Sequence, residues 1–155
     1  MKRFLIATLC ASMLLGAVPV SAAGETNAPP TVIPAVREWE GGTGHYVPTA
    51  DTVIVYPSGS EALEKRVEIV LGYFEHIRSV IVENAKDGDI VLRLDEADRE
   101  TLGEDGYILE VSEQNLTVTA PEPQGLFYGL ITAVQSLSAD GYVPVGRARD
   151  YSYYP

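Results

Sequence analysis

Thiol and imidazole groups are almost absent from this chain. Its 155 residues include one cysteine, Cys10, and two histidines, His45 and His76. One cysteine cannot close an internal disulfide, and so few thiols and imidazoles leave little to hold a transition metal. Motifs of the H-E-x-x-H, G-x-S-x-G and phosphate-loop types are also missing. The sequence therefore predicts no metal site and no cofactor.

Basic residues are scarce as well. There are 11 lysines and arginines against 22 aspartates and glutamates, which gives a formal net charge of −11. A surface this acidic repels phosphate backbones, so we do not expect nucleic acid as a partner. Neutral sugars would not be repelled.

The acidic residues are abundant but lie mainly in predicted turns and loops. Six of the eleven residues from 95 to 105 are acidic. A glycosidase acid needs an apolar pocket that raises its pKa, whereas a solvated loop keeps carboxylates ionised. We therefore predict no catalytic and no substrate-binding residue among the close acidic pairs, which are Asp87/Asp89, Asp95/Glu96, Asp98/Glu100 and Glu104/Asp105.

Residues 1–23 have the pattern of a secretory signal peptide. Lys2 and Arg3 precede an apolar run over residues 4–20, and small residues follow at 21–23. We expect cleavage at these small residues and a secreted or periplasmic product that is not attached to a membrane. An uncleaved membrane anchor is the alternative.

The rest of the chain predicts one α/β domain over residues 32–146. A flexible lead-in (24–31) precedes it, and residues 147–155 form a junction. Helices are expected to begin near Ser58 and Pro123, the first ending between Glu75 and Asn84. The predicted strands are 45–48, 52–56, 90–94, 107–112, 116–120 and 142–145, with Pro144 confining the last to a sheet edge.

This order, β-β-α-β-β-β-α-β, predicts an α+β sandwich. It would consist of one mixed, largely antiparallel sheet with two helices packed on one face. Glycine lowers helix stability, so Gly125 and Gly129 on the second helix require a reason. They could allow close packing on the domain's own sheet, or form a docking face for a neighbouring domain. The candidate docking residues are Gly125, Tyr128, Gly129, Tyr151, Tyr153 and Tyr154.

Five segments stand out for their order and spacing: VIPAVREW at 32–39, GDIVL at 88–92, LGEDGYIL at 102–109, GLFYGLITAVQ at 125–135 and RDYSYYP at 149–155. Together they resemble the domain that precedes the catalytic barrel in family 20 glycoside hydrolases, the β-N-acetylhexosaminidases and lacto-N-biosidases. Two features depart from the family's pattern: Asp105 stands where glutamate is common, and Ser152 where proline is common.

The resemblance implies a secreted glycosidase that removes terminal N-acetylhexosamine by substrate-assisted catalysis. In that family an adjacent Asp-Glu pair in a (β/α)8 barrel does the chemistry, and this chain has no counterpart of the pair. We therefore expect a domain that is inactive alone, braces the barrel through the second helix and the tyrosine tail, and meets glycan only through the barrel.

Three other readings remain open. The chain could be a freestanding carbohydrate-binding or interaction module, which an exposed aromatic platform on the sheet would favour. It could be the equivalent domain of another hexosamine- or uronic-acid-directed glycosidase family. A small autonomous hydrolase is the third, and the missing catalytic motifs are evidence against it.

Overall fold

The computed structural model describes residues 24–72, 77–80, 84–137 and 141–152. The signal-like segment 1–23, His76, Tyr153 and Tyr154 lie outside these residues. The elements in chain order are β1 (Glu38–Tyr46), β2 (Val53–Val55), α1 (Glu61–Leu71), β3 (Arg78–Val80), β4 (Ile90–Leu94), α2 (Arg99–Leu102), β5 (Tyr107–Val111), β6 (Leu116–Ala120), α3 (Pro123–Ser136) and β7 (Val143–Asp150).

The predicted α+β architecture with one mixed sheet is confirmed. The sheet order is β1-β7-β5-β6-β4-β2-β3. The pairs β1–β7, β7–β5 and β5–β6 are antiparallel, whereas β6–β4, β4–β2 and β2–β3 are parallel. Parallel pairing is therefore more frequent than expected. Helix α1 is the crossover connection of one parallel pair, β2–β3.

Helices α1 and α3 pack on the same face of this sheet, as predicted. Ser60 caps α1 by accepting a 3.2 Å hydrogen bond from the Leu63 amide. Helix α3 starts at Pro123, where the missing amide hydrogen costs nothing. The largest fully buried side chains of the core include Tyr46, Ile54, Leu63, Ile90, Leu109, Leu116, Leu126 and Leu130. In the described part of the chain, no helix is both long and apolar enough to cross a bilayer.

The predicted end of the first helix was wrong. Helix α1 ends at Leu71 with Gly72 as its cap, and residues 78–80 form strand β3. This strand pairs with β2, so Val53 lies opposite Arg78. Ile77 continues the helical spacing of the apolar residues, but it is buried in the approach to the strand. A three-residue strand has too short a pattern to override that spacing.

The last strand is longer than predicted and does not lie at an edge. Strand β7 runs from Val143 to Asp150 between β1 and β5, so the sheet extends past the predicted boundary at 146. Pro144 pairs with His45 of β1 but precedes Gly146, the first β7 residue that pairs with β5. Its missing amide hydrogen therefore removes no bond to β5.

Two further segments contain regular structure. The glycine-rich residues 41–44 lie inside β1, where the pairing register with β7 shifts. Residues 99–102 of the acidic loop form the short helix α2. In the lead-in, the Asn27 amide donates to the Gly42 carbonyl at 2.7 Å, and its side-chain amide donates to the carbonyls of Gly44 and Val145. The lead-in is therefore tied to the sheet at Asn27.

Candidate docking cleft

A cleft of about 610 Å³ lies beside α3 on the helix-covered side of the domain. Three parts of the chain surround it: residues 33–37, helix α3 and residues 150–152. Tyr107 of β5 also lines it. The cleft therefore brings the beginning and the end of the domain together on one helix.

The first wall is held in place by one side chain of α3. The Ile33 amide donates to Gln135 Oε1 at 2.8 Å, and Gln135 Nε2 donates to the Ile33 carbonyl at 3.3 Å. The side chain of Gln135 thus satisfies both backbone groups of one residue. The Ile33–Pro34 peptide bond is cis. Ile33 itself is 84% exposed, the largest value among the exposed large hydrophobic residues.

The second wall is the chain after β7, and Tyr151 anchors it. The guanidinium carbon of Arg37 lies 4.4 Å from the centre of the Tyr151 ring, and that of Arg149 lies 5.1 Å away. Both distances are within the range of cation–π attraction. The Tyr151 hydroxyl donates to Glu38 Oε1 at 3.2 Å, and Arg149 contacts the same oxygen at 3.1 Å. Tyr151 therefore joins the end of the domain to the start of β1.

The polar part of the cleft centres on Asp150. Its Oδ1 lies 3.9 Å from Nε of Arg37, and its Oδ2 lies 3.4 Å from the Tyr107 hydroxyl. The Tyr107 hydroxyl also shares a hydrogen bond with the Thr132 hydroxyl. Burial raises the pKa of Asp150 above its ordinary value, although the hydrogen bonds and Arg37 oppose this. Burial likewise raises the pKa of Tyr107.

Chemically, the cleft is suited to binding more than to catalysis. Glycoside hydrolysis needs two carboxyl groups on either side of one bond. Asp150 is instead engaged by Arg37 and Tyr107, while Asp105, the other carboxylate of the lining, lies in the exposed turn before β5. Apolar side chains and tyrosine rings provide the contact surface, with Ile33, Val36, Tyr128, Ile131 and Tyr151 in the lining.

The candidate docking residues take different positions. Tyr128 and Tyr151 both line the cleft, and Tyr128 is 41% exposed. Gly125 and Gly129 are buried on the side of α3 that faces the sheet. A Cβ atom at Gly125 would clash with the Gly106 carbonyl oxygen, and one at Gly129 would clash with Val118. Both glycines therefore pack closely against the domain's own sheet.

Most of the acidic residues weighed from the sequence are exposed, as expected of a solvated loop. Asp89 is an exception, because it is only 2% exposed and its Oδ2 accepts a 2.9 Å hydrogen bond from the Lys86 amide. Its role is to close the turn before β4. His45 packs on Tyr142 with ring centres 4.1 Å apart. The described residues contain no cluster of three or more His, Cys, Asp or Glu side chains that could hold a metal ion.

The sheet face opposite α1 and α3, named the open face here, carries charged residues in pairs. Arg147 Nε lies 3.5 Å from Glu110 Oε1 on the neighbouring strand, and Arg149 contacts Glu38. The register places two rows of residues on this open face, Glu38, Arg149, Ile108, Thr119 and Arg93 in one and Glu40, Arg147, Glu110, Thr117 and Val91 in the other. Neither row contains an aromatic residue.

Sequence reasoning missed four residues that shape the cleft, namely Ile33, Arg37, Gln135 and Asp150. Gln135 belongs to the helix segment that carried the family resemblance, but nothing in its neighbours shows that it holds Ile33, 102 positions away. The one local signal is the pair of apolar residues at 32–33 before a proline. This pair is too short to indicate that the side chain of Ile33 is exposed. Pairings this distant in sequence become visible only in the folded domain.

Comparison with known proteins gives one family and several relatives. Residues 29–151 match the family model described as glycosyl hydrolase family 20, domain 2. One curated relative is a lacto-N-biosidase of Bifidobacterium bifidum, 28% identical over 143 residues. That match covers 86% of this chain and 13% of the relative.

Solved structures agree with this match. The β-N-acetylhexosaminidase of Streptomyces coelicolor A3(2) is 26% identical with a TM-score of 0.62, and the match covers 82% of this chain and 28% of that one. A mutant β-hexosaminidase of Streptomyces plicatus in complex with GlcNAc, 23% identical, shares the fold with a TM-score of 0.64, over 84% of this chain and 28% of that one. The chain thus spans little more than a quarter of the length of these enzymes.

Proposed function

The chain belongs to glycosyl hydrolase family 20, and from this premise we propose that it is the non-catalytic N-terminal domain of a secreted glycosidase. The parent enzyme would hydrolyse terminal N-acetylhexosamine in glycans, as a β-N-acetylhexosaminidase does. The observation that carries the proposal is the match of residues 29–151 to domain 2 of the family. A (β/α)8 barrel takes about 250 residues, which is more than the 155 residues of this sequence.

The relatives support the same distinction between a non-catalytic domain and a catalytic barrel. They are named as a lacto-N-biosidase and a β-N-acetylhexosaminidase, and this chain spans 13% and 28% of their lengths. We propose that a (β/α)8 barrel follows this domain in the parent polypeptide and contacts the glycan. The domain would brace that barrel through α3 and the tyrosine tail.

Secretion is part of the proposal and rests on the sequence pattern of residues 1–23. The positive start, the apolar run and the small residues are those of a signal peptide. An extracellular or periplasmic location suits an enzyme that acts on glycans. N-terminal sequencing of the exported protein would test this part directly, with a new terminus expected at or near Gly24.

The decisive experiment reads the DNA beyond the codon for Pro155. We expect an in-frame continuation that encodes a barrel with an adjacent Asp-Glu pair. The continuous protein should release chromophore from a chromogenic N-acetyl-β-glucosaminide, and the 155-residue chain alone should not. A stop codon followed by unrelated sequence would contradict the proposal, and binding of glycan by the chain alone would favour a carbohydrate-binding module.

A further inference from the structure

We propose that strand β1 has two possible registers on β7 and that Asn27 is the positioning residue that selects one of them. In the observed register, residues 42–44, named the β1 bulge here, lie outside the aligned pairs of the two strands. In the alternative register, the residues before the bulge lie two positions further along β7 and the pairing is continuous. This register switch belongs to the domain itself and does not depend on the proposed function.

The spacing of the aligned pairs shows that two residues of β1 are surplus. Gly41 lies opposite Gly146, whereas His45, four residues later, lies opposite Pro144, two residues away on β7. A slip by two residues leaves every side chain on its own face of the sheet, because side chains alternate with a period of two. Residues 41–44 are GGTG, and glycine-rich strands specify their register weakly. The side-chain pattern therefore permits both registers.

The core fixes only the second half of β1. Tyr46 is 1% exposed, and its hydroxyl donates to the Gly88 carbonyl at 2.8 Å. It lies opposite Val143, which is as deeply buried. Before the bulge, the side chains of residues 38–41 are exposed or half-buried. A slip would therefore move the residues before the bulge along β7 and leave Tyr46 in place.

Asn27 binds carbonyl groups at the place where the pairing is interrupted. Its backbone amide donates to the Gly42 carbonyl at 2.7 Å. Its side-chain Nδ2 donates to the carbonyls of Gly44 and Val145, both at 2.9 Å. In the described pairing of β1 with β7, these three residues have no aligned partner, whereas in the alternative register they would be paired. Carbonyl groups withdrawn from water are costly to leave without a donor, so Asn27 stabilises the observed register.

The contact between Asn27 and β1 also depends on two residues before the bulge. A Cβ atom at Gly41 would clash with the Asn27 carbonyl oxygen, so glycine is what allows the lead-in to approach. The same oxygen accepts a 3.0 Å hydrogen bond from Nε1 of Trp39. The Trp39 ring lies against Gly146, where a Cβ atom would clash with it. Both contacts hold the first half of β1 in the observed register.

Disulfide trapping distinguishes the two registers. Residues opposite each other on neighbouring antiparallel strands have Cα atoms about 5 Å apart, which a disulfide can bridge. Glu40→Cys with Arg147→Cys therefore reports the observed register, in which these residues are aligned. Glu40→Cys with Arg149→Cys reports the alternative register. In the observed register these two positions are diagonal neighbours about 7 to 8 Å apart, beyond the usual reach of a disulfide.

The control pair lies on strands that the switch does not involve. It is Glu110→Cys with Thr117→Cys, which are aligned on β5 and β6. All pairs are made in a Cys10→Ser background, which removes the native cysteine. The rate of disulfide formation is measured for each pair in the 155-residue chain, with and without Asn27→Ala.

Asn27→Ala removes the two side-chain hydrogen bonds that exist only in the observed register. We expect the rate for positions 40 and 149, relative to that for 40 and 147, to rise about tenfold or more. The rate for 110 and 117 should stay within about twofold, because distant sites act independently. Thr26→Ala, at the exposed neighbour of Asn27, should leave the ratio unchanged. An unchanged ratio in Asn27→Ala, or equal acceleration of all three pairs, would overturn the switch.

The hydrogen bonds of Asn27 can be separated from its shape. Asn27→Asp keeps the shape of the side chain but replaces the donor by an oxygen that faces two carbonyl groups. We expect the ratio to rise at least as much as in Asn27→Ala. Asn27→Gln keeps the amide on a side chain one methylene longer and should restore part of the observed register. A ratio like that of the parent in Asn27→Asp would overturn the role of the amide.

Gly41→Ala tests the same contact from the other side. The new methyl group would displace the Asn27 carbonyl oxygen, so the ratio should rise as in Asn27→Ala. Because both substitutions break one contact, their combination should raise the ratio little beyond the larger single effect. Independent effects that multiply in the combined variant would show that Asn27 does not act through its position on β1, and would overturn its positioning role.

Discussion

The two faces of the sheet are stabilised in different ways. On the helix-covered face, side chains such as Leu109, Val118 and Leu130 are almost completely buried, and glycines on α3 allow its backbone to approach the sheet. On the open face, partly or fully exposed acidic and basic residues pair across strands. Burial of apolar surface contributes about 25 cal/mol per Å², whereas an exposed ion pair contributes between about 0 and 1 kcal/mol. Stability therefore resides on the helix side.

The cleft is an exception to this difference between the two faces. It belongs to the helix side, yet Ile33 and Tyr128 remain exposed there. Such side chains contribute little to the stability of the domain and are available for a partner. Substitutions in the packed layer, at the cleft and on the open face should therefore have effects of decreasing size.

The largest effect is expected at the contact between α3 and the sheet. In Gly125→Ala, the new methyl group would lie 2.8 Å from the Ala120 Cβ and would clash with the Gly106 carbonyl. Because a backbone atom cannot move aside easily, we expect a loss of about 3 kcal/mol in the free energy of unfolding. Urea denaturation measures it.

Gly72→Ala is the matched control for this substitution. Gly72 ends α1 with a φ of −62°, and among the described residues a Cβ atom there would meet the Ile69 carbonyl, at 3.4 Å. Alanine fits this conformation, so the variant should be neutral or more stable by up to about 1 kcal/mol. Equal losses in the two variants would contradict the close approach of α3.

Tyr46, one of the buried tyrosines of the core, should make the domain sensitive to alkali. Burial raises the pKa of Tyr46 to about 12, from 10.0 in the unfolded chain. The folded state therefore retains this proton more strongly, and stability is lost as the pH rises from about 10 towards 12. The shift corresponds to a loss on the order of 2 to 3 kcal/mol.

Tyr46→Phe removes this ionisation and also the 2.8 Å hydrogen bond to the Gly88 carbonyl. The variant should be about 1 kcal/mol less stable than the parent at pH 8. This deficit should shrink or reverse at pH 11. All other tyrosines are shared by the two proteins, so a constant difference between pH 8 and pH 11 would show that Tyr46 does not carry the effect.

A smaller pH effect is expected at the cleft. Burial raises the pKa of Asp150 in the folded state, so ionisation of this carboxyl opposes folding. Its contribution makes the domain more stable at low pH and less stable as the pH rises from the ordinary aspartate value, 3.8, through the folded pKa. Asp150→Asn should therefore gain stability relative to the parent between pH 4 and pH 7. Melting temperatures at the two pH values measure this, and a relative loss at pH 7 would mean that the contact with Arg37 outweighs burial.

The smallest effect is expected on the open face. Glu110→Gln removes one charge of the pair with Arg147, whose two side chains are 58% and 39% exposed. We expect a change below about 0.5 kcal/mol, which 1 M salt should reduce further. Thr117→Ser on the same face is a control that keeps the charges. A loss of more than about 1 kcal/mol in Glu110→Gln would show that the open face contributes more than a solvated surface does.

Much of the fold could be read from local patterns. Alternating apolar residues marked β4, β5 and β6, and Pro123 marked the start of α3, since these signals depend on neighbours in sequence. The end of α1 and strand β3 were missed because Ile77 continues the helical spacing across the break at Gly72. The position of β7 inside the sheet was missed because a proline usually indicates an edge strand. Pro144 is compatible with an interior strand here because the pairing with β5 begins only at Gly146.

The sequence by itself determined the α+β class, the family and the acidic surface of this protein, because each follows from composition or from short segments. Only the tertiary structure decided that Gly125 and Gly129 face the sheet and that Tyr128 and Tyr151 share a cleft. It also joined Gln135 to Ile33 and placed Asp150 between Arg37 and Tyr107. These contacts join residues far apart in the chain, and the folded backbone alone sets which of them meet.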